Sequence, residues 1–345
     1  MSAFRTCIFY SVVSILFVSG IAHAQLPPSI LPQALSTVVT PQFPEPNGRV
    51  HVEVQSYSLT LPSATITWYV NGKSVLSGPG QTSFDTSVGG LGTETKIEAV
   101  ASGQGVSASA LSVLRPTALV VLWESDSYAP PFYRGRTLPS MGTRVRLEAV
   151  AHFVRTNKTT VDAKDIIYTW LKNGLVMPEI SGRGRSSASI PSPQLFATDI
   201  IAVNAQSVDG VFSNEAIVRI PSVEPALTLY EDHPLYGITF GQALGNSTNI
   251  PESEMTFAAI PYFTQAASAR DSRLLYVWGV NGKNIPTGKD SNRITLSGTK
   301  SGSVGEIALS FTHSTNIFET AAGAWKVMLN TINGGANTVN DPFHR

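Results

Sequence analysis

The chain has a single cysteine, Cys7, among its 345 residues. No disulfide can close within one molecule, so the fold must be held by apolar burial and hydrogen bonds alone. Charge is scarce as well: Asp, Glu, Lys and Arg make up 14% of the sequence, against roughly 25% in an average soluble domain. Lys+Arg and Asp+Glu both total 24. Without a basic excess there is little to neutralise a phosphate backbone, so nucleic acid is not an expected partner. Long runs with a 3.6-residue apolar period are missing too, which argues against a helical protein. After the first two dozen residues, no apolar run reaches the ~20 residues that a membrane helix needs.

What is present begins with a leader. Arg5 precedes an apolar run over 8–21, which ends in Ala22-His23-Ala24. A charged start, a short apolar stretch and small residues at the end describe a secretory signal peptide over 1–24. Gln25, not cysteine, follows, so no lipid anchor is expected. Cleavage would remove Cys7 and leave a chain that is secreted, extracellular or in the cell envelope, with no membrane span. Residues 25–44 hold Pro27, Pro28, Pro32, Pro41 and Pro44 and read as an extended linker. Residues 330–345 are rich in Asn and Gly and read as a disordered tail.

Between these ends one figure occurs three times. "TWYVNGK" (67–73), "TWLKNG" (169–174) and "VWGVNGK" (277–283) share W-x-x-N-G. Asn-Gly between extended runs is a strong hairpin signal, because a type I′ turn needs positive φ at both central positions. The turn pairs are Asn71-Gly72, Asn173-Gly174 and Asn281-Gly282. Alternation along the preceding strand turns Trp68, Trp170 and Trp278 to one face, hence into a core. Ile97, Ile201 and Ile307 follow their tryptophans by 29, 31 and 29 residues, each within a later strand-like run. Each unit also has a strand-like run before its tryptophan and another to close it, at 108–116, 214–222 and 324–329. The exception to the extended pattern is 191–199, which reads as a short helical turn between strands.

Short strands, frequent turns and a tryptophan on the third strand predict an all-β chain of three tandem immunoglobulin-like β-sandwiches in a rod. The expected divisions are 45–115, 116–222 and 223–329. The W-x-x-N-G-K figure followed by S-G-x-G resembles bacterial tandem immunoglobulin-like and PKD-like repeats of cell-surface proteins. More specifically, the chain over 40–330 resembles uncharacterised secreted multi-immunoglobulin proteins of candidate-phylum bacteria. The cysteine pair of antibody domains is missing, and Asn-Gly-Lys replaces the PKD signature. The resemblance implies a fold and a surface location. It implies no activity, because this fold hosts adhesion, scaffolding and glycan binding alike.

The most distinctive stretch is "WESDSYAPPFYRGR" (123–136). Tyr128, Phe132 and Tyr133 around two prolines could form an exposed platform for a sugar, with Glu124 and Asp126 supplying hydrogen bonds. The alternative is architectural: a first strand and its bend, with aromatics packed at the joint to the first unit. The third unit has a cognate, "LYEDHPLYG" (229–237), at the same place, which favours architecture. Glu124, Asp126, Glu231 and Asp232 do not complete the 6–8 oxygens of a calcium shell. No two histidines have zinc-ligand spacing, and no serine sits in a nucleophile elbow. The expected function is therefore non-enzymatic, without metal or cofactor: a structural or interaction module contacting envelope or extracellular proteins, with glycans as the alternative partner.

Overall fold

The computed structural model describes residues 35–103, 105–250, 254–287, 291–297 and 303–329. The expected signal peptide and tail lie outside these. Among the described residues there is no α-helix, and 24 strands carry the fold. The stretch 191–199 forms a turn, not a helical one: β13 runs into it, Ala197 N donates to Gln194 O, and β14 leaves it.

The first sandwich contains β1 (Ser36–Thr40), β2 (Arg49–Gln55), β3 (Thr65–Val70), β4 (Lys73–Pro79), β5 (Ser83–Ser87), β6 (Thr95–Gly103) and β7 (Val106–Leu114). Its two sheets run β1-β2-β5 and β4-β3-β6-β7. The second contains β8 (Ala118–Ser125), β9 (Arg144–His152), β10 (Ile166–Lys172), β11 (Leu175–Val176), β12 (Gly182–Arg183), β13 (Ser187–Pro191), β14 (Thr198–Ser207) and β15 (Ser213–Pro221). Its sheets run β13-β9-β8 and β11-β10-β14-β15, with β12 also on β10. The third contains β16 (Ala226–His233), β17 (Gly237–Ile238), β18 (Ser247–Ile250), β19 (Glu254–Tyr262), β20 (Leu274–Val280), β21 (Lys283–Ile285), β22 (Arg293–Ser297), β23 (Ser303–His313) and β24 (Asn316–Leu329). Its sheets run β17-β16-β19-β22 and β18-β24-β23-β20-β21.

Alternation builds each core. Along β2, Val50, Val52 and Val54 are buried while the residues between them are exposed. Val145, Leu147 and Ala149 repeat this on β9. Each sandwich closes over its own apolar cluster, centred on Trp68, Trp170 or Trp278. All three indoles are 0% exposed, as are Ile97, Ile201 and Ile307. A buried Trp removes roughly 150–250 Å² from water, about 4–6 kcal/mol at ~25 cal/mol/Å².

Hydrogen bonds account for the repeated figure residue by residue. The indole N–H of Trp68 donates to Gln81 O at 2.8 Å, that of Trp170 to Arg185 O at 2.9 Å, and that of Trp278 to Ser291 O at 2.8 Å. The buried donor is thus satisfied by the loop that returns past it. Asn71, Asn173 and Asn281 stand at φ 52°, 52° and 51°, followed by glycines at 79°, 83° and 78°. Only glycine takes that second position without strain. The asparagine adds a clasp. Its side-chain oxygen accepts from Lys96 N (2.9 Å), Ile200 N (2.8 Å) or Glu306 N (2.9 Å). Its own N–H donates to the carbonyl of that same residue. The hairpin is therefore pinned to the start of β6, β14 or β23.

Two boundaries differ from the sequence reading. Residues 36–40, expected within the linker over 25–44, form β1 and pair antiparallel with β2. Leu35, just before it, is 1% exposed in the first core. Proline spacing advertised a linker, but the short alternating run S-T-V-V-T is what β2 captures. In the third unit the closing strand β24 begins at Asn316, well before the run at 324–329 that looked like a strand. The small residues Ala321, Ala322, Gly323 and Ala324 concealed its start. β24 also carries β18 as a parallel neighbour, with Ser247 opposite Lys326 and Asn249 opposite Met328.

Candidate functional site

The stretch 123–136 does not present a row of exposed rings. Tyr128 forms an isolated antiparallel bridge with Thr264 of the third sandwich. Its N–H donates to Thr264 O at 2.8 Å, and its carbonyl accepts from Phe263 N at 2.7 Å. The Tyr128 ring packs against a cluster containing Tyr230, Ala258, Ile260 and Ala269. Tyr133 lies edge-on to Tyr262 and Phe263, with centroids 5.9 and 5.6 Å apart. Phe132 points away at 87% exposure, on a backbone with φ 66°. The aromatics thus pack at a joint as the architectural alternative held, but the joint is to the third sandwich and not the first.

The carboxylates of the stretch are occupied locally. Asp126 accepts from Arg144 N at 2.7 Å and closes the end of the β8–β9 pair. Glu124 lies 3.8 Å from Arg146 on the solvent face. Asp232, the cognate in the third unit, is paired with Arg293 at 2.5 Å. Among the described residues no three His, Cys, Asp or Glu side chains converge as a metal site. Arg136 stacks over the Trp123 ring, 4.3 Å from its centroid. Beside it, Leu122, Glu124, Arg146, Glu148 and Ser189 line an open depression of about 680 Å³. Trp123 lines the same depression and is partly buried against the second core.

The most buried polar cluster lies elsewhere in the same joint. Glu319 on β24 is 0% exposed. Its carboxylate accepts from the Ser140 hydroxyl of the second sandwich, from Thr264 Oγ1 at 2.5 Å and from Gln265 N at 3.1 Å. Three donors to one ion answer the cost of burying it. Asn316 Nδ2 donates across the joint to Met141 O at 2.7 Å, and Val223 N to Pro139 O at 2.9 Å. Four tyrosines flank these contacts. Tyr230 and Tyr262 share a hydrogen bond between hydroxyls at 2.5 Å, and Tyr276 donates to Ala269 O at 2.9 Å. Burial pushes the Tyr128 hydroxyl up, and pushes those of Tyr262 and Tyr276 well above the ordinary phenol range. Sequence reasoning had no means to find Glu319 or Ser140. A lone Glu in a strand and a lone Ser in a loop carry no spacing signal.

The joint between the first and second sandwiches is leaner. Lys158 Nζ donates to Gly92 O at 3.2 Å. Gly92 has φ +69°, and a Cβ there would lie 2.9 Å from both Arg155 O and Val154 Cγ1, so a larger residue would separate the two. Arg155 bonds Asp209 at 2.6 Å. The Ser207 hydroxyl, Arg155 and Val211 N–H hold that carboxyl down at about 2.

Comparison with known proteins gave no matching family model and no curated relative. Solved structures with tandem modules do match at low identity. The central fibronectin-III array of RIM-binding protein is 10% identical, with 85% of this chain and 94% of that chain covered and a TM-score of 0.31. Three N-terminal domains of the highly immunogenic outer capsid protein of bacteriophage RB49 are 12% identical, covering 87% and 99%, with a TM-score of 0.25. A Bacteroides ovatus protein of a mixed-linkage glucan utilization locus, solved with a heptasaccharide, is 13% identical, covering 86% and 70%, with a TM-score of 0.23.

Proposed function

We propose that this chain is a non-enzymatic structural and interaction protein of the cell envelope or the extracellular space. In this reading, immunoglobulin-like modules divided after Arg115 and after Ser222 follow a cleaved leader and hold surfaces at set spacings for protein partners. An adhesive or pilus-like surface assembly, in a bacterium with relatives among secreted multi-immunoglobulin proteins, is the setting that suits it.

One observation carries the reading. The polar and aromatic cluster around Glu319 and Tyr128 joins two modules, and its carboxylate and hydroxyl groups are taken up by bonds within the chain. A catalytic site would place converging titratable groups in a concave pocket. Here burial and hydrogen bonding instead fix the position of one sandwich against the next. A glycan-binding role draws less support, since Tyr128 and Tyr133 are engaged in the joint and Phe132 stands alone.

Cross-linking of the tagged protein in its native host, with mass spectrometry of envelope and medium fractions, tests the reading. Recovery with envelope or surface-assembly proteins is expected. A free chain in the medium, linked to no protein but retained on a polysaccharide, would overturn it in favour of glycan binding.

A further inference from the structure

The second sandwich gives the proposed interaction role a specific form, one that rests on that role being correct. β15 is an edge strand: β14 pairs with one side, and no described strand pairs with the other. Thr117, just before β8, bonds to β15 near its start: Thr117 Oγ1 donates to Ser213 O and Asn214 Nδ2 to Thr117 O. From Glu215 to Arg219 no described strand is hydrogen-bonded to the outer edge. Glu215 and Ile217 instead line an open depression shared with Leu119 and Val120 of β8 and with Phe43 of the first sandwich. The third sandwich is built differently, because there the closing strand β24 has β18 on that side.

The outward residues of this unpaired stretch are Glu215, Ile217 and Arg219. All are exposed, Ile217 at 59%. Among the described residues neither Glu215 nor Arg219 has an ion-pair partner. Natural edges are usually blunted by lysines, proline or inward charges. Here the charges face outward, are of opposite sign, and flank an isoleucine symmetrically. A second β15 laid antiparallel about Ile217 puts Ile217 against Ile217. It also puts Glu215 of each copy opposite Arg219 of the other. Parallel pairing in the same register would set Glu215 against Glu215, which is repulsive.

We propose that residues 215–219 of β15 are a homotypic docking edge, through which two copies of this chain pair antiparallel. The two five-stranded sheets then join into one. Main-chain groups with no strand partner bond across the junction, and the charge pairs set orientation and register. So short a junction belongs with weak, concentration-dependent interfaces. Its ion pairs stand at the surface, where salt screens them.

Sedimentation velocity of the purified chain over a concentration series tests this. The weight-average mass should rise toward twice the monomer with concentration and fall back when salt is raised. Glu215→Arg and Arg219→Glu should each weaken association by about tenfold or more, since each sets like charges opposite one another. The double variant, with both charges exchanged, should restore it. That restoration also answers misfolding of a single variant. A monomer at every concentration, single variants that associate like wild type, or a double variant that stays monomeric would each overturn the homotypic edge. None of these would touch the broader interaction reading, which the host cross-linking decides.

Discussion

The Glu319 carboxylate on β24 accepts a hydrogen bond from the Ser140 hydroxyl, 179 residues earlier in the chain and in the neighbouring sandwich. Its other oxygen is held by Thr264 and Gln265 of its own sandwich. One buried ion therefore ties two folding units together. Glu319→Ala would leave two hydroxyls and an N–H without their acceptor, at a cost of about 1–3 kcal/mol. Calorimetry should show the second and third sandwiches melting together in wild type and apart in the variant. A single shared transition retained in Glu319→Ala would refute the coupling.

The tryptophans and asparagines act within single sandwiches. Trp170→Ala should destabilise the second sandwich by about 3–5 kcal/mol and leave the first unchanged. For Asn281, two variants separate its two roles. Asn281→Gly keeps the positive φ but loses the bond from Glu306 N; Asn281→Ala loses both. Chemical denaturation should rank wild type above the glycine variant and the glycine variant above alanine, each step about 1 kcal/mol. Equal stability of Trp170→Ala and wild type would contradict the core described above.

The buried tyrosines make the joint sensitive to alkali. Tyr128, Tyr262 and Tyr276 have hydroxyls raised chiefly by burial, so the fold holds them neutral. A raised pKa in the folded state means their stabilising contribution is intact below the unfolded value of about 10. It is lost as pH climbs from there through the folded values. Phenolate absorbance should therefore rise in two stages, with exposed tyrosines first and the joint tyrosines only as the third sandwich opens. A single titration at the ordinary phenol value, with the fold intact, would contradict this.

Phe132 offers a contrast with Tyr128, four residues before it. At 87% exposure and φ 66° it has little packing to lose and a backbone that glycine adopts more readily. Phe132→Gly should change the melting temperature little, or raise it slightly, with a free-energy change within about 1 kcal/mol. A loss of several degrees would show that the ring is held by contacts absent from this structure.

The hairpin chemistry was legible because it is local. A type I′ turn is written in two adjacent residues, and the tryptophan before it by period-two alternation, so Trp68, Trp170, Trp278 and their turns could be read directly. The joint was not legible, because its partners lie far apart in sequence. Tyr128 meets Thr264, and Ser140 meets Glu319, with nothing near either residue to announce the other. The aromatic stretch was recognised as distinctive and as architectural. Its neighbour was misassigned because the bend after β8 carries the chain toward the third sandwich. β18 was missed for a similar reason: a four-residue strand with no apolar alternation is recruited by β24 and not by its own propensity.

That added strand bears on how the chain would carry mechanical load. A pull along β24 is resisted on both flanks, by β23 and by β18. The bonds on each side lie across the pulling direction and are strained together, in shear, not opened one after another. β15 has such resistance on one flank only. Under tension along the chain, the second sandwich should yield and lengthen while the third stays folded.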